Sequence, residues 1–169
     1  MDNNMKKRWI SLYVENQVGV LSKISGLFSG KSYNLDSLTV GTTEDPTVSR
    51  MTIATVSDDE TFEQIKKQLN RMVEVIKVID LTNVPIHMKE ILFAKVTADT
   101  PAEKESVFQI AQVFSVQVTD IGEDSVLLEC TLTERRNNEL IALLKRQFRR
   151  VEVVRGGAVA IEAVSTSCR

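Results

Sequence analysis

Read as a succession of apolar and polar positions, the chain lays down one plan and then repeats it. In "WISLYVE", Ile10, Leu12 and Val14 alternate with Trp9, Ser11 and Tyr13, the period of two that marks a half-buried strand. Leu21, Ile24, Leu27 and Phe28 then fall on one face of a helix. "SGKSYN" breaks that helix, with Gly30 able to take a left-handed terminal conformation. "NLDSLTVGTT" and "VSRMTIATV" read as two strands joined by a turn built on Asp45 and Pro46. In "SDDETFEQIKKQLNRMV" a second helix opens on Ser57, Asp58 and Asp59, whose oxygens can cap free N–H groups, and carries Phe62, Ile65, Leu69 and Met72 on its apolar face. "VIKVIDL" closes the unit near Leu81 in the order βαββαβ.

After a linker, "TNVPIHM", the order restarts. "EILFAKVTA" predicts a strand, and "AEKESVFQIAQVF" a helix with Val107, Ile110, Ala111 and Phe114 on one face. "VQVTDI" and "SVLLECTL" flank the turn "GED", "ERRNNELIALLKRQF" is a helix, and "VEVVR" is a last strand. Such an internal repeat predicts two ferredoxin-like βαββαβ domains of the α+β class, residues 1–83 and 84–169, with a tail from Gly156 that is partly ordered at most. Each is expected to form a four-stranded antiparallel sheet with both helices on one face. The other face stays open unless a partner covers it, and open faces and free edges predict a homodimer.

Composition narrows the function. The chain has 169 residues, 43% of them apolar, and a formal net charge of -2, which supports a packed core and gives no basic footprint for nucleic acid or membrane. No apolar run reaches the length of a transmembrane helix, and "MDNNMKKRW" is followed by no signal-peptide core, so a cytoplasmic protein is expected. Cys130 and Cys168 form no metal-binding spacing, and Cys130 is expected to pack as a small apolar residue.

Catalytic chemistry is hard to find. The one histidine, His87, sits in the predicted linker without a nucleophile or paired carboxylate. Asp58, Asp59 and Glu60 are accounted for by helix capping. Lys145, Arg146, Arg149 and Arg150, with Arg135, Arg136 and Arg155, make the one basic concentration, read as a solvated helix face ahead of a docking patch for an acidic partner. RNA-binding sheets of this topology stack bases on aromatic residues of their central strands. The third strand here, "SRMTIATV", has none.

What remains is the turn between the first strand and first helix, "ENQVGVL". The first four N–H groups of a helix lack internal partners and, with the helix dipole, attract a carboxylate or phosphate. Gly19 permits close approach to the backbone, and the Asn16 amide can donate to an anion or accept from an ammonium group. The loop therefore suits a small zwitterion such as an amino acid. Equally, Asn16 could cap the helix while Gly19 only turns the chain. The corresponding stretch of the second half, "ADTPAEKES", has no glycine and is flanked by carboxylates, so the repeat copies the scaffold without the cradle.

The segment "GVLSKISGLFSGKSYNLDSLTVGTTEDPTVSRMTI" closely resembles the opening of the regulatory small subunits of acetolactate synthase, a family built on an ACT domain followed by a second ferredoxin-like domain. "VEVVRGGAVAI" extends the resemblance, less tightly, into the second half. The resemblance implies a chain with no active site and no cofactor of its own. Its partner would be the large catalytic subunit, which would carry thiamine diphosphate, magnesium and FAD. The small subunit would raise that enzyme's activity and confer feedback inhibition by a branched-chain amino acid, usually valine. In the family the effector lies between two ACT domains of a homodimer. Carried to this chain, Asn16, Gly19, Val20 and Leu21 of one copy and Asn34 and Leu35 of the other would bind it. A free-standing ACT-type amino-acid sensor, acting on another enzyme or on transcription, is the alternative of a different class.

Overall fold

The computed structural model describes residues 4–165. Its first half contains β1 (Lys6–Glu15), α1 (Val20–Gly30), β2 (Ser37–Thr42), β3 (Val48–Ser57), α2 (Asp59–Leu69) and β4 (Val75–Asp80). Its second half contains β5 (Ile86–Thr97), α3 (Pro101–Phe114), β6 (Gln117–Ile121), β7 (Ser125–Leu132), α4 (Glu134–Gln147) and β8 (Val151–Glu162). Both halves are βαββαβ, with sheet orders β2-β3-β1-β4 and β6-β7-β5-β8, so the α+β, twice ferredoxin-like architecture stands.

Alternation decides which face of the first sheet meets the helices. Ile10, Leu12 and Val14 of β1 and Met51 and Ile53 of β3 pack against Val20, Ile24 and Phe28 of α1 and Phe62, Ile65 and Leu69 of α2. The α1 face is turned from the expected one: Val20, Ile24 and Phe28, at i, i+4 and i+8, are buried, Leu27 is partly so, and Leu21 stays 45% exposed. With Phe28 and Ile24 turned into the core, Val20 shares their face at the four-residue spacing, and Leu21, one position on, is turned outward. In the second unit Leu92, Ala94, Val96, Val126, Leu128 and Cys130 pack under Val107, Ile110, Phe114, Leu140 and Leu144. Burial pushes the Cys130 thiol up to about 11, so it behaves as a small apolar side chain. Cys168 lies outside the described residues.

Three helices begin on a side-chain cap. Asp58 accepts from the Thr61 N–H at 2.7 Å, Thr133 accepts from that of Arg136, and Thr100 with Glu103 forms a reciprocal capping box. Capping thus accounts for Asp58, as expected. The basic concentration is partly engaged: Arg136 pairs with Glu139 and lies over the Phe114 ring, and Arg155 grips the buried Glu90.

Two expectations are corrected. The linker is shorter than "TNVPIHM": alternation runs back through Ile86 and Met88, so His87 lies in β5. The stretch from Gly156 to Glu162 is also ordered, because β8 continues to Glu162 with Ala158 and Ala160 buried, a period of two in small side chains. By contact, the chain divides into residues up to His87 together with those from Val159, and residues Met88–Ala158, a division that differs from one at 83/84.

The first unit's own C-terminal segment covers part of the sheet face expected to be open. The Ala160 N–H donates to Thr52 Oγ1 at 3.4 Å, the Ala163 N–H donates to the Pro85 carbonyl at 2.9 Å, and Arg50 Nη2 donates to Glu162 Oε2 at 2.7 Å. Ser11, Thr52 and Ala54, all on that face, are buried.

Candidate effector-binding site

The β1–α1 turn is shaped by Gly19. Its φ of +87° is left-handed, and a Cβ built there would meet nothing within 4 Å. The residue serves both conformation and access, since the turn needs positive φ and the space above it is open. Gly19 stands at the N-cap of α1, and no side chain caps this helix. The Asn16 amide points elsewhere: Nδ2 donates to the Pro46 carbonyl at 2.8 Å, and the Asn16 N–H to that of Thr47 at 2.7 Å. Of the two roles open to Asn16 from sequence, capping is therefore not the one it plays. It fastens the turn to the β2–β3 loop.

Around the cap, the Val20 N–H leans on the Gln17 carbonyl at 3.4 Å, a long contact, and helix geometry leaves the N–H groups of Leu21 and Ser22 without an intrahelical partner. The first turn of α1 carries no acidic residue. Its dipole is therefore not offset by a fixed negative charge, as it is at α2, α3 and α4. Lys23 is paired with Glu74, whose backbone carbonyl accepts from the Glu15 N–H at 2.9 Å, so the loop before β4 braces the same end of the sheet.

The six residues do not meet within one chain. Asn16, Gly19, Val20 and Leu21 sit at the start of α1, whereas Asn34 and Leu35 follow its end. A helix of 11 residues, as α1 is, is about 16 Å long. Val20 turns its side chain into the core, so only its backbone faces the turn. Leu21, half exposed, and Val18, fully exposed, offer apolar surface beside the cradle. Asn34 is exposed, its carbonyl accepting from the Thr55 hydroxyl and its side-chain amide making no bond among the described residues. Leu35 packs partly against the core. The roles of Pro46, Thr47, Lys23 and Glu74 were invisible in the sequence, because each depends on contacts between residues 30 to 51 positions apart.

The register fixes where the two groups stand. Glu15 pairs with Val48 and Thr42 with Ser49, so the cradle and the end of β2 share one end of the sheet. Ser37 pairs with Ala54, so Asn34 and Leu35 approach from the other end, beside β2, which is an edge strand. No group of three or more His, Cys, Asp or Glu side chains among the described residues could hold a metal ion. No helix of the described residues is long and apolar enough to cross a membrane.

Comparison with known proteins accounts for nearly the whole chain. A family model for the AHAS small subunit-like ACT domain matches residues 10–77, and one for the small subunit of acetolactate synthase matches residues 89–164. The chain is similar to the acetolactate synthase small subunit of Haemophilus influenzae, 37% identical over 155 residues that cover 92% of this chain and 94% of that one. It is similar to that of Bacillus subtilis at 38% identity over 155 residues, 91% of this chain and 89% of that one. In three dimensions it is similar to the crystal structure of the acetolactate synthase small subunit from Thermotoga maritima, with a TM-score of 0.84, 31% identity, and coverage of 95% of this chain and 99% of that one.

Proposed function

The chain belongs to the family of acetolactate synthase small subunits, and from that premise we propose that it binds a branched-chain amino acid, valine foremost, and passes that binding to the large catalytic subunit as feedback inhibition. As a small subunit its role is regulatory and its partner is the catalytic large subunit. It raises the activity of that subunit, which carries the thiamine diphosphate, magnesium and FAD.

The observation that carries the effector reading is the uncapped start of α1 behind a left-handed Gly19. An amino acid's carboxylate would complete the helix N-terminus, receiving the N–H groups of Leu21 and Ser22 and the positive end of the dipole. Register supplies the rest. If two copies pair through their β2 edges in antiparallel fashion, each start of β2 comes beside the partner's Thr42, which is the cradle end. A partner copy would therefore deliver its Asn34 amide and Leu35 to the cradle that a single chain leaves incomplete. Asn34 would hold the polar end of the effector, and Leu21 and Val18 offer apolar surface to its isopropyl group. A ligand shared by two copies stabilises the arrangement that brings both halves together.

Calorimetry of the purified chain against L-valine, L-leucine and L-isoleucine, with sedimentation on the same samples, tests the reading. It predicts a homodimer that binds at least one of the three. A folded dimer giving no heat with any of them contradicts it. Mixing with purified catalytic subunit separates the alternative: a free-standing sensor would bind the amino acid and form no complex.

A further inference from the structure

The face of the first sheet that is turned away from the helices carries a pocket that the effector reading does not use. Alternation along β1 and β3 sends Leu12, Met51 and Ile53 to the helices and leaves Tyr13, Arg50 and Thr52 on the opposite face. With Gly41 of β2 and Val159 and Ala160 of β8, these three line a space of about 310 Å3. Small-molecule sites begin at about that volume. Gly41 pairs with Arg50 across the sheet, so a side chain at Gly41 would belong to this face, and a Cβ built there meets nothing within 4 Å.

The walls are fixed before any ligand arrives. β8 runs unbroken through Val159 and Ala160 to Glu162, and just beyond it the Ala163 N–H donates to the Pro85 carbonyl at 2.9 Å. Arg50 is held on three sides: Nε donates to Ser11 Oγ at 2.8 Å, Nη1 to Tyr13 Oη at 3.0 Å and Nη2 to Glu162 Oε2 at 2.7 Å. Its guanidinium carbon lies 4.9 Å from the centre of the Tyr13 ring.

The polar groups of the lining nevertheless have donors to spare. Of the five N–H bonds of a guanidinium, Arg50 uses three among the described residues. Tyr13 Oη and Thr52 Oγ1 are both engaged as acceptors, Thr52 from the Ala160 N–H at 3.4 Å, and the O–H of each has no acceptor among the described residues. Thr52 is only 5% exposed, and a donor in so dry a place costs free energy unless an acceptor meets it. Donors beside the apolar surface of Val159 and Ala160 call for a ligand with an acceptor at one end and hydrocarbon at the other. Arg50 makes a carboxylate the favoured acceptor, because hydrogen bonds between ionised groups are the stronger ones. Glu162 is not part of the lining, and Glu44 joins it from the exposed β2–β3 loop, where water and salt screen its charge.

We propose that this pocket is a second small-molecule site, taking a short-chain monocarboxylic acid whose carboxylate meets Arg50, Tyr13 and Thr52 and whose hydrocarbon lies against Val159, Ala160 and Gly41. The site stands on the sheet face and not at the start of α1, so it holds whether or not the cradle binds an effector.

The test is a titration of the isotope-labelled full chain with isovalerate, followed through the amide resonances of Gly41, Arg50 and Thr52. Isoamyl alcohol, the same hydrocarbon without the carboxylate, is the control. Gly41→Val fills the pocket with a residue that strands favour, Tyr13→Phe removes one donor and keeps the ring, and Gly19→Asp alters the cradle alone. Saturable shifts are expected at the three amides in the wild type and in Gly19→Asp, with equal midpoints. Binding should be roughly tenfold weaker or more in Gly41→Val and about tenfold weaker in Tyr13→Phe, and the alcohol should give no saturable shift. A wild type without saturable shifts at these amides, an alcohol that binds as well as isovalerate, or a folded Gly41→Val or Tyr13→Phe that binds isovalerate like the wild type overturns the proposal. Shifts that vanish in Gly19→Asp place the acid at the cradle and overturn it too. Circular dichroism checks each variant, and if Gly41→Val does not fold, Tyr13→Phe and the alcohol decide.

Discussion

At the scale of single residues, Gly19 decides between a cradle and a mere turn. Its φ of +87° costs a substituted side chain about 1 kcal/mol, and no neighbour obstructs it, so Gly19→Asp is expected to fold. The new carboxylate would stand where the effector's own carboxylate belongs. A like charge there, worth about 3 kcal/mol, weakens binding by a factor on the order of 100. The variant should still activate the catalytic subunit and lose valine sensitivity, with circular dichroism as the folding control. A folded variant of wild-type sensitivity would show that the loop binds no effector. Gly19 was legible as a turn residue that lets another group approach the backbone, but the sequence left a plain turn equally open, because the space above it depends on the fold. Asn16 was legible as a polar residue of the turn but not in its role, because Pro46 and Thr47 are distant in sequence. Val20 and Leu21 were both read as lining the site. Their adjacency could not say that one enters the core and the other faces out, since that depends on how α1 is rotated against the sheet.

Elements are joined by polar contacts that hydrophobic patterning does not reveal. Glu90 of β5 is buried, takes Arg155 of β8 through two hydrogen bonds at 2.9 and 2.8 Å, and accepts from Asn137 of α4 at 2.9 Å. Removing Arg155 would leave the buried Glu90 carboxylate without that cation in a dry setting, at a cost of about 3 kcal/mol or more. Arg155→Ala is therefore expected to lower the urea midpoint of the second unit's unfolding substantially, and an unchanged midpoint would refute this account of the contact. The Arg50–Glu162 contact makes a pH prediction. The hydrogen bond from Arg50, with smaller help from the charge of Lys77, holds the Glu162 carboxyl below its ordinary value of 4.5. A depressed folded-state value means that the attachment is complete above about pH 4.5 and is lost as pH falls through the lower, folded value. The Ala160 amide resonance should hold still from neutral pH down to that range and move below it, and Glu162→Gln should abolish the movement. A resonance that moves equally in the variant would assign the titration to another group. The strands and helices themselves were legible because their periods of two and near four are direct consequences of backbone geometry. The run "GGAVAIE" was underread: its alternation is carried by alanines, too small to stand out as a buried face.

For the molecule as a whole, the duplicated βαββαβ order was legible because two hydrophobic cores of similar pattern need two similar scaffolds. The attachment of residues 159–165 to the first unit was not, since it rests on Thr52, Arg50 and Pro85, none of which signals a partner more than 70 residues away. The central claim is that this chain is the regulatory half of a two-part enzyme, with its effector held at the start of α1. Reconstitution measures it most directly: acetolactate formation from pyruvate by the purified catalytic subunit, alone and with this chain, titrated with L-valine. The account predicts no turnover by this chain alone, a higher rate for the pair than for the catalytic subunit alone, and a rate that falls as valine is added to the pair. A pair no faster than the catalytic subunit alone, or a pair indifferent to valine, leucine and isoleucine, would contradict it.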